Sequence, residues 1–130
     1  GYDESDIVLN RKIAEYTKAV VDGRPCFHIS LVIDVSPNCD CHAENDVAIV
    51  PNIGMFASFD PVALDQACAD AVNAAPVNPA SLLCDETEHH HIDDPEDHFH
   101  AVHPDTNWQS ALEHAEKLGL GTREYELVKI

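Results

Sequence analysis

Positive charge is scarce in this chain. Its 130 residues hold 7 Lys and Arg against 24 Asp and Glu, a formal net charge of −17. Between Arg24 and Lys117 there is no Lys or Arg at all, while seventeen acids fall in that stretch. Such a surface repels phosphate backbones and anionic headgroups, which argues against nucleic acid and membrane surfaces as partners. Long apolar runs are also lacking. None approaches the ~20 residues that span a bilayer, so no membrane helix is expected. A Gly-rich phosphate loop, a Gly-x-Ser-x-Gly elbow and a His-Glu-x-x-His pair are all missing, so the three chemistries they signal have no motif here.

Hydrophobic residues at 45% and charged residues at 24% are ordinary globular values, and the length suits one domain. Five cysteines are an odd number and lack the spacing of a secreted disulfide framework. At least one thiol is therefore expected to be unpaired, which points to a reducing, cytoplasmic setting. The start, Gly1-Tyr2-Asp3-Glu4, has no basic or apolar leader, and the chain reads as a piece of something longer.

Periodicity predicts a helix from Asp6 to about Asp22, stopped by Gly23 and Pro25. Residues 26–35 alternate as a strand, with Phe27, Ile29, Leu31, Ile33 and Val35 on an apolar face and Cys26, His28, Ser30, Val32 and Asp34 on a mixed one. The mixed face is expected to meet a second layer or a site. Asp60-Pro61 is a strong helix start, and that helix should run to about Asn73. A last helix fits 106–118, capped by Asp105 or Thr106, with Trp108, Leu112, Ala115 and Leu118 inside. Residues 125–130 alternate as a closing strand, and 76–105 read as a long acidic, histidine-rich loop. The expected fold is α/β: a small mixed sheet with about three helices, one carboxyl-terminal domain over 1–130 and an incomplete piece of a larger α/β domain. So small a sheet leaves open edges, to be completed by a second copy or by other parts of a longer chain.

Three groups of residues carry chemistry. Cys39-Asp40-Cys41-His42 sets two thiols and an imidazole in one polar loop, able to hold a thiophilic divalent metal such as zinc or to act as a redox pair. A fourth ligand would come from His28, Asp46 or water. The segment Cys84–His103 holds six of the nine histidines among seven acids, and His89, His90 and His91 suit adventitious metal capture. Finally Asp60, Asp65 and Gln66 open one helix. Asp60 has a structural explanation as a cap, whereas Asp65 shares a face with Val62, Ala69 and Val72 and so needs a partner, for which His28 is a neighbour to consider. Asp60 and Asp65 are out of register for a shared acid/base pair, which disfavours a hydrolase.

Several stretches together resemble a family. They are Glu15-Tyr16, Cys39-Asp40-Cys41, Ile49-Val50-Pro51-Asn52-Ile53-Gly54, the run Ala57-Ser58-Phe59-Asp60-Pro61-Val62-Ala63-Leu64-Asp65-Gln66-Ala67, then Leu118-Gly119-Leu120-Gly121 and Glu124-Tyr125-Glu126-Leu127. They are similar to the carboxyl-terminal part of the iron–sulfur-centre proteins grouped as a domain-of-unknown-function family, over about residues 12–130. The resemblance implies a longer parent with a ferredoxin-like module binding 4Fe–4S clusters, whose cysteine motifs are absent here. It implies a redox, electron-transfer or metal-binding role, with that module, an electron-transfer partner or a second copy as partners. The alternative is a structural module that presents the ferredoxin part. Asn52 stands where the family pattern leads one to expect Asp, and the His-His-His run falls in a variable stretch.

Overall fold

A computed structural model describes residues 4–89 and 96–130. Helix α1 (Glu4–Val21) leads to strand β1 (His28–Val32), a long loop, strand β2 (Gly54–Ser58) and helix α2 (Pro61–Ala74). Helices α3 (Leu82–His89), α4 (His98–Val102) and α5 (Gln109–Lys117) follow. The class is α/β as expected, with five helices among the described residues and a sheet of two antiparallel strands. The register pairs His28 with Ser58, Ser30 with Phe56 and Val32 with Gly54.

The expected helix at 61–73 forms because Asp60 caps it: its Oδ1 accepts the N–H groups of Val62 (2.9 Å) and Ala63 (3.0 Å), and Pro61 needs no such bond. Val62, Ala69 and Val72 are buried on its inner face. Two small cores result. One gathers Val32, Ile49, Val50, Val72 and Leu83 between the sheet, α2 and α3, with Phe99 and Val102 of α4 packed against it. The other joins α1, α2 and α5 through Ala14, Val62, Leu112 and Ala115, with Trp108 and Leu118 alongside, so the expected inner stripe of the last helix holds.

Several local expectations change. Residues 76–105 are not one loop, because α3 and α4 lie within them. Asp97 builds the second: its Oδ1 accepts from Phe99 and His100 N–H, while Oδ2 accepts from Trp108 Nε1 (2.9 Å) and Gln109 Nε2 (3.0 Å). One carboxylate thus caps α4 and ties it to the start of α5. That start is not held by Asp105 or Thr106; the Asn107 Oδ1 accepts the Ser110 N–H at 3.1 Å. Gly54 opens β2, at a φ of 145° that favours glycine.

Residues 125–130 form no strand. The tail lies along α2, where Thr122 N–H donates to Asp60 Oδ2 (2.9 Å) and the Tyr125 hydroxyl donates to Asp70 Oδ2 (2.6 Å). Carboxylates on a helix, not a strand edge, receive it, so alternation along the tail finds nothing to pair with. Among the described residues no helix is long and apolar enough to cross a membrane.

Candidate functional site

The Cys-Asp-Cys-His motif sits at the tip of a loop closed by two asparagines. Asn45 Oδ1 accepts Asn38 N–H (3.1 Å), and its Nδ2 donates to Ser36 Oγ and Asn38 O, both at 2.9 Å. Asn38 Nδ2 returns a bond to Glu44 O. The base is fixed to the end of α4, where His103 Nε2 meets Pro37 O at 2.6 Å. Within the tip, a turn closes through His42 N–H to Cys39 O at 2.9 Å. The staple leaves Cys39, Asp40, Cys41 and His42 exposed on a short, anchored arc.

The two thiols perturb each other. Interaction with the Cys41 backbone N–H, then with its thiol, holds the Cys39 pKa below the usual thiol range, against partial desolvation and the opposing charge of Asp40. The Cys41 pKa moves up, chiefly because its thiol is engaged with Cys39 and faces that sulfur's developing charge. The two thiols therefore titrate as a coupled pair, in which losing one proton hinders losing the second. None of the five cysteines is in a disulfide. Among the described residues no three His, Cys, Asp or Glu side chains are grouped to hold a metal ion, so the His42 imidazole does not complete a three-donor set with the two thiols. Asp46 is turned to its own loop, its Oδ1 accepting Val47 N–H at 2.7 Å.

A second constellation lies where β1 crosses α2. His28 and Ser30 face the helix from the mixed side of the strand, as the alternation predicts. Asp65 does not share the buried face expected for it: Val62, Ala69 and Val72 are buried, whereas Asp65 lies exposed beside them. Partial desolvation of its carboxyl still raises its pKa, and the charge of the nearby His28 pulls it partly back. Cys68, one turn further along α2, is raised by burial and opposed by a bond with Ser30; the Asp65 charge raises it further. Ser30 and Cys68 are additions to the expected site. Their signal was positional: Ser30 is two residues from His28 on a strand, and Cys68 three from Asp65 on a helix. His28 also lines a shallow cavity of about 180 Å³ with Lys18, Arg24, Cys26 and Phe59. A thiol raised in this way stays protonated near neutral pH and is a poor nucleophile.

The remaining expected residues are structural. Both Asp60 oxygens are committed to backbone N–H groups. Gln66 Nε2 donates to Asp70 Oδ1 at 2.9 Å along α2, away from His28. Asn52 Oδ1 accepts Asp34 N–H (2.8 Å) and holds that residue at its positive φ of 49°, a task that needs only an acceptor. Of the acidic histidine segment, His98 is wholly buried, and His103 is used by the loop base. His90 and His91 lie outside the described residues, as does the side chain of His89.

Loop, strand pair and the first half of α2 all fall within residues 2–70, which match the family model for a domain of unknown function, DUF362. The chain belongs to that family. The match contains Cys39, Cys41, His28, Asp65 and Cys68, whereas the Gly119–Gly121 and Tyr125 stretches lie beyond it. Searches of curated proteins and of solved structures return no match.

Proposed function

We propose that this DUF362 domain acts through the Cys39–Cys41 pair, as a thiol-based redox element that also takes a thiophilic divalent cation. What supports this is a pair of exposed, free thiols two residues apart on a stapled loop, each perturbing the ionisation of the other. A thiolate attacks the disulfide of a partner thiol protein, and the second thiol then displaces it. The pair ends as a disulfide, the partner as a dithiol, and two electrons have moved. A cation such as zinc would draw on the same two sulfurs, with its remaining positions filled by water or by His42 after a turn of its ring.

The described cysteines do not fit a 4Fe–4S cluster. Cys39 and Cys41 share one loop, but Cys26 (before β1), Cys68 (on α2) and Cys84 (on α3) are half-buried elsewhere, and no group able to hold a metal is present among the described residues. In this reading any clusters belong to a ferredoxin-like module of a longer cytoplasmic parent, which the domain serves as redox accessory. Hydrolysis is disfavoured because Asp60 is fully used as a cap and latch.

Cobalt titration of the reduced chain tests the metal arm. Thiolate ligation gives intense charge-transfer absorption, lost in a Cys39→Ser, Cys41→Ser variant. Exchange with a glutathione redox series, read by mass after alkylation, tests the other. The expected result is a Cys39–Cys41 disulfide formed ahead of any involving Cys26, Cys68 or Cys84. Unchanged cobalt spectra in the double variant, together with no Cys39–Cys41 disulfide, would overturn the proposal.

A further inference from the structure

The alternation of β1 has an outcome that composition does not anticipate. Its mixed face, His28, Ser30 and Val32, is the one packed on α2, so its apolar face looks outward. Phe27, Ile29, Leu31 and Ile33 are all exposed, Leu31 at 62%. On β2, Met55 stands opposite Leu31 and is 69% exposed, and Ala57 stands opposite Ile29. Phe59, 79% exposed, closes the band by meeting Phe27 with ring centroids 5.0 Å apart. The surface is therefore continuous across both strands, and it contains no charged residue in a chain of net charge −17.

Its area decides what it fits. Large apolar side chains offer about 150–250 Å² each, so the exposed fractions leave on the order of 700 Å² open. The largest apolar patch on a typical monomer is about 300–600 Å². A stable standard interface needs about 800 Å² from each partner, which this band nearly supplies from its apolar side chains alone. A two-stranded sheet with one layer on one face is also half of a common architecture, since sheets pack face to face about 10 Å apart. Lys18 and Arg24 come near the band only at its Phe59 end, and the remaining side chains carry no charge to select a different partner, so a self-complementary surface across a two-fold axis meets its requirement.

We infer that the outer face of the β1–β2 sheet is a homodimer interface, in which two copies stack their apolar bands sheet on sheet, with α2 on the far side of each. Phe27, Phe59, Leu31 and Met55 are the anchors. The two chains repel through their net charge, so association tightens as salt screens it, the reverse of a charge-driven contact.

Sedimentation equilibrium of the reduced chain tests this. The expected mass is twice 14.3 kDa at micromolar concentrations, falling towards a single chain at low salt. Ile29→Asp with Met55→Glu should give a monomer with an unchanged far-ultraviolet spectrum. Tyr16→Asp, placed on the exposed side of α1, should leave the dimer intact. Because the sheet variants risk misfolding, amide exchange on the parent chain gives a second reading: protection of His28–Val32 and Gly54–Ser58 should rise with concentration while that of α1 does not. A monomer at all concentrations and salts, or a dimer broken by Tyr16→Asp and not by the sheet variants, would refute the inference.

Discussion

Replacing Asp60 with Ala removes three hydrogen bonds at once, and their separate worth can be worked out. Two are the cap of α2, to Val62 and Ala63 N–H. Losing a cap of this kind costs roughly 0.5–2 kcal/mol. The third is Thr122 N–H to Oδ2, which latches the tail onto the helix start. A hydrogen bond to a charged group is worth about 1.5–3 kcal/mol, and partial exposure places this one near the low end. The sum is about 2–3.5 kcal/mol, and for a chain of this size each kcal/mol moves the melting midpoint by roughly 3–5 °C. Asp60→Ala should therefore melt about 6–18 °C below the parent. Asp60→Asn keeps an acceptor for the cap but aims an amide N–H at Thr122, and should lose about half as much.

Gly121 tests the same latch from the other side. A Cβ there would collide with the Asp60 carboxylate, so Gly121→Ala should also destabilise. Because both changes act on one contact, the double variant should lose less than the two losses combined. Differential scanning calorimetry of the four chains reads all of this. An Asp60→Ala midpoint within a degree of the parent, or strict additivity with Gly121→Ala, would refute the reasoning.

Asp65 gives a pH signature. Its carboxyl is raised above 3.8 by partial desolvation, so folding favours its proton; the ionised form costs stability at neutral pH, and that cost vanishes as pH falls through the folded value and below the ordinary one. Because Asp65 is exposed, Asp65→Asn should stabilise the chain at neutral pH by under about 1 kcal/mol, with no gain in acid; a gain that persists in acid would refute this. Tyr125, whose pKa is pushed up to about 12 first by its bond to Asp70, should ionise last in an ultraviolet titration and return towards 10 in Asp70→Asn. An unchanged titration in that variant would show that Asp70 is not the cause. His98 is buried with neither ring nitrogen hydrogen-bonded. His98→Leu should therefore stabilise, by about 1–3 kcal/mol, and a lower melting point would show that the imidazole is satisfied after all.

The amino-acid sequence by itself determined whatever depends on neighbours a few residues apart. Asp60-Pro61 announced α2, and the stripe through Trp108, Leu112, Ala115 and Leu118 announced the packed side of α5. Alternation separated the two faces of β1, and Cys39 and Cys41 were legible as two thiols in one exposed polar loop. These signals are local because caps, helical stripes and strand faces are set by i to i+4 geometry. Tertiary structure decided everything that joins distant residues. It chose which face of β1 is covered, made Gly54–Ser58 a strand by pairing it with His28–Val32, and turned the alternating tail onto Asp60 and Asp70. It assigned Asp97 to two helices, closed the thiol loop between Asn38 and Asn45, and left His42 out of the thiol pair. Side-chain type alone cannot specify such partners, because a carboxylate or an asparagine accepts whichever N–H the chain brings near it, and only the packed fold determines which one arrives.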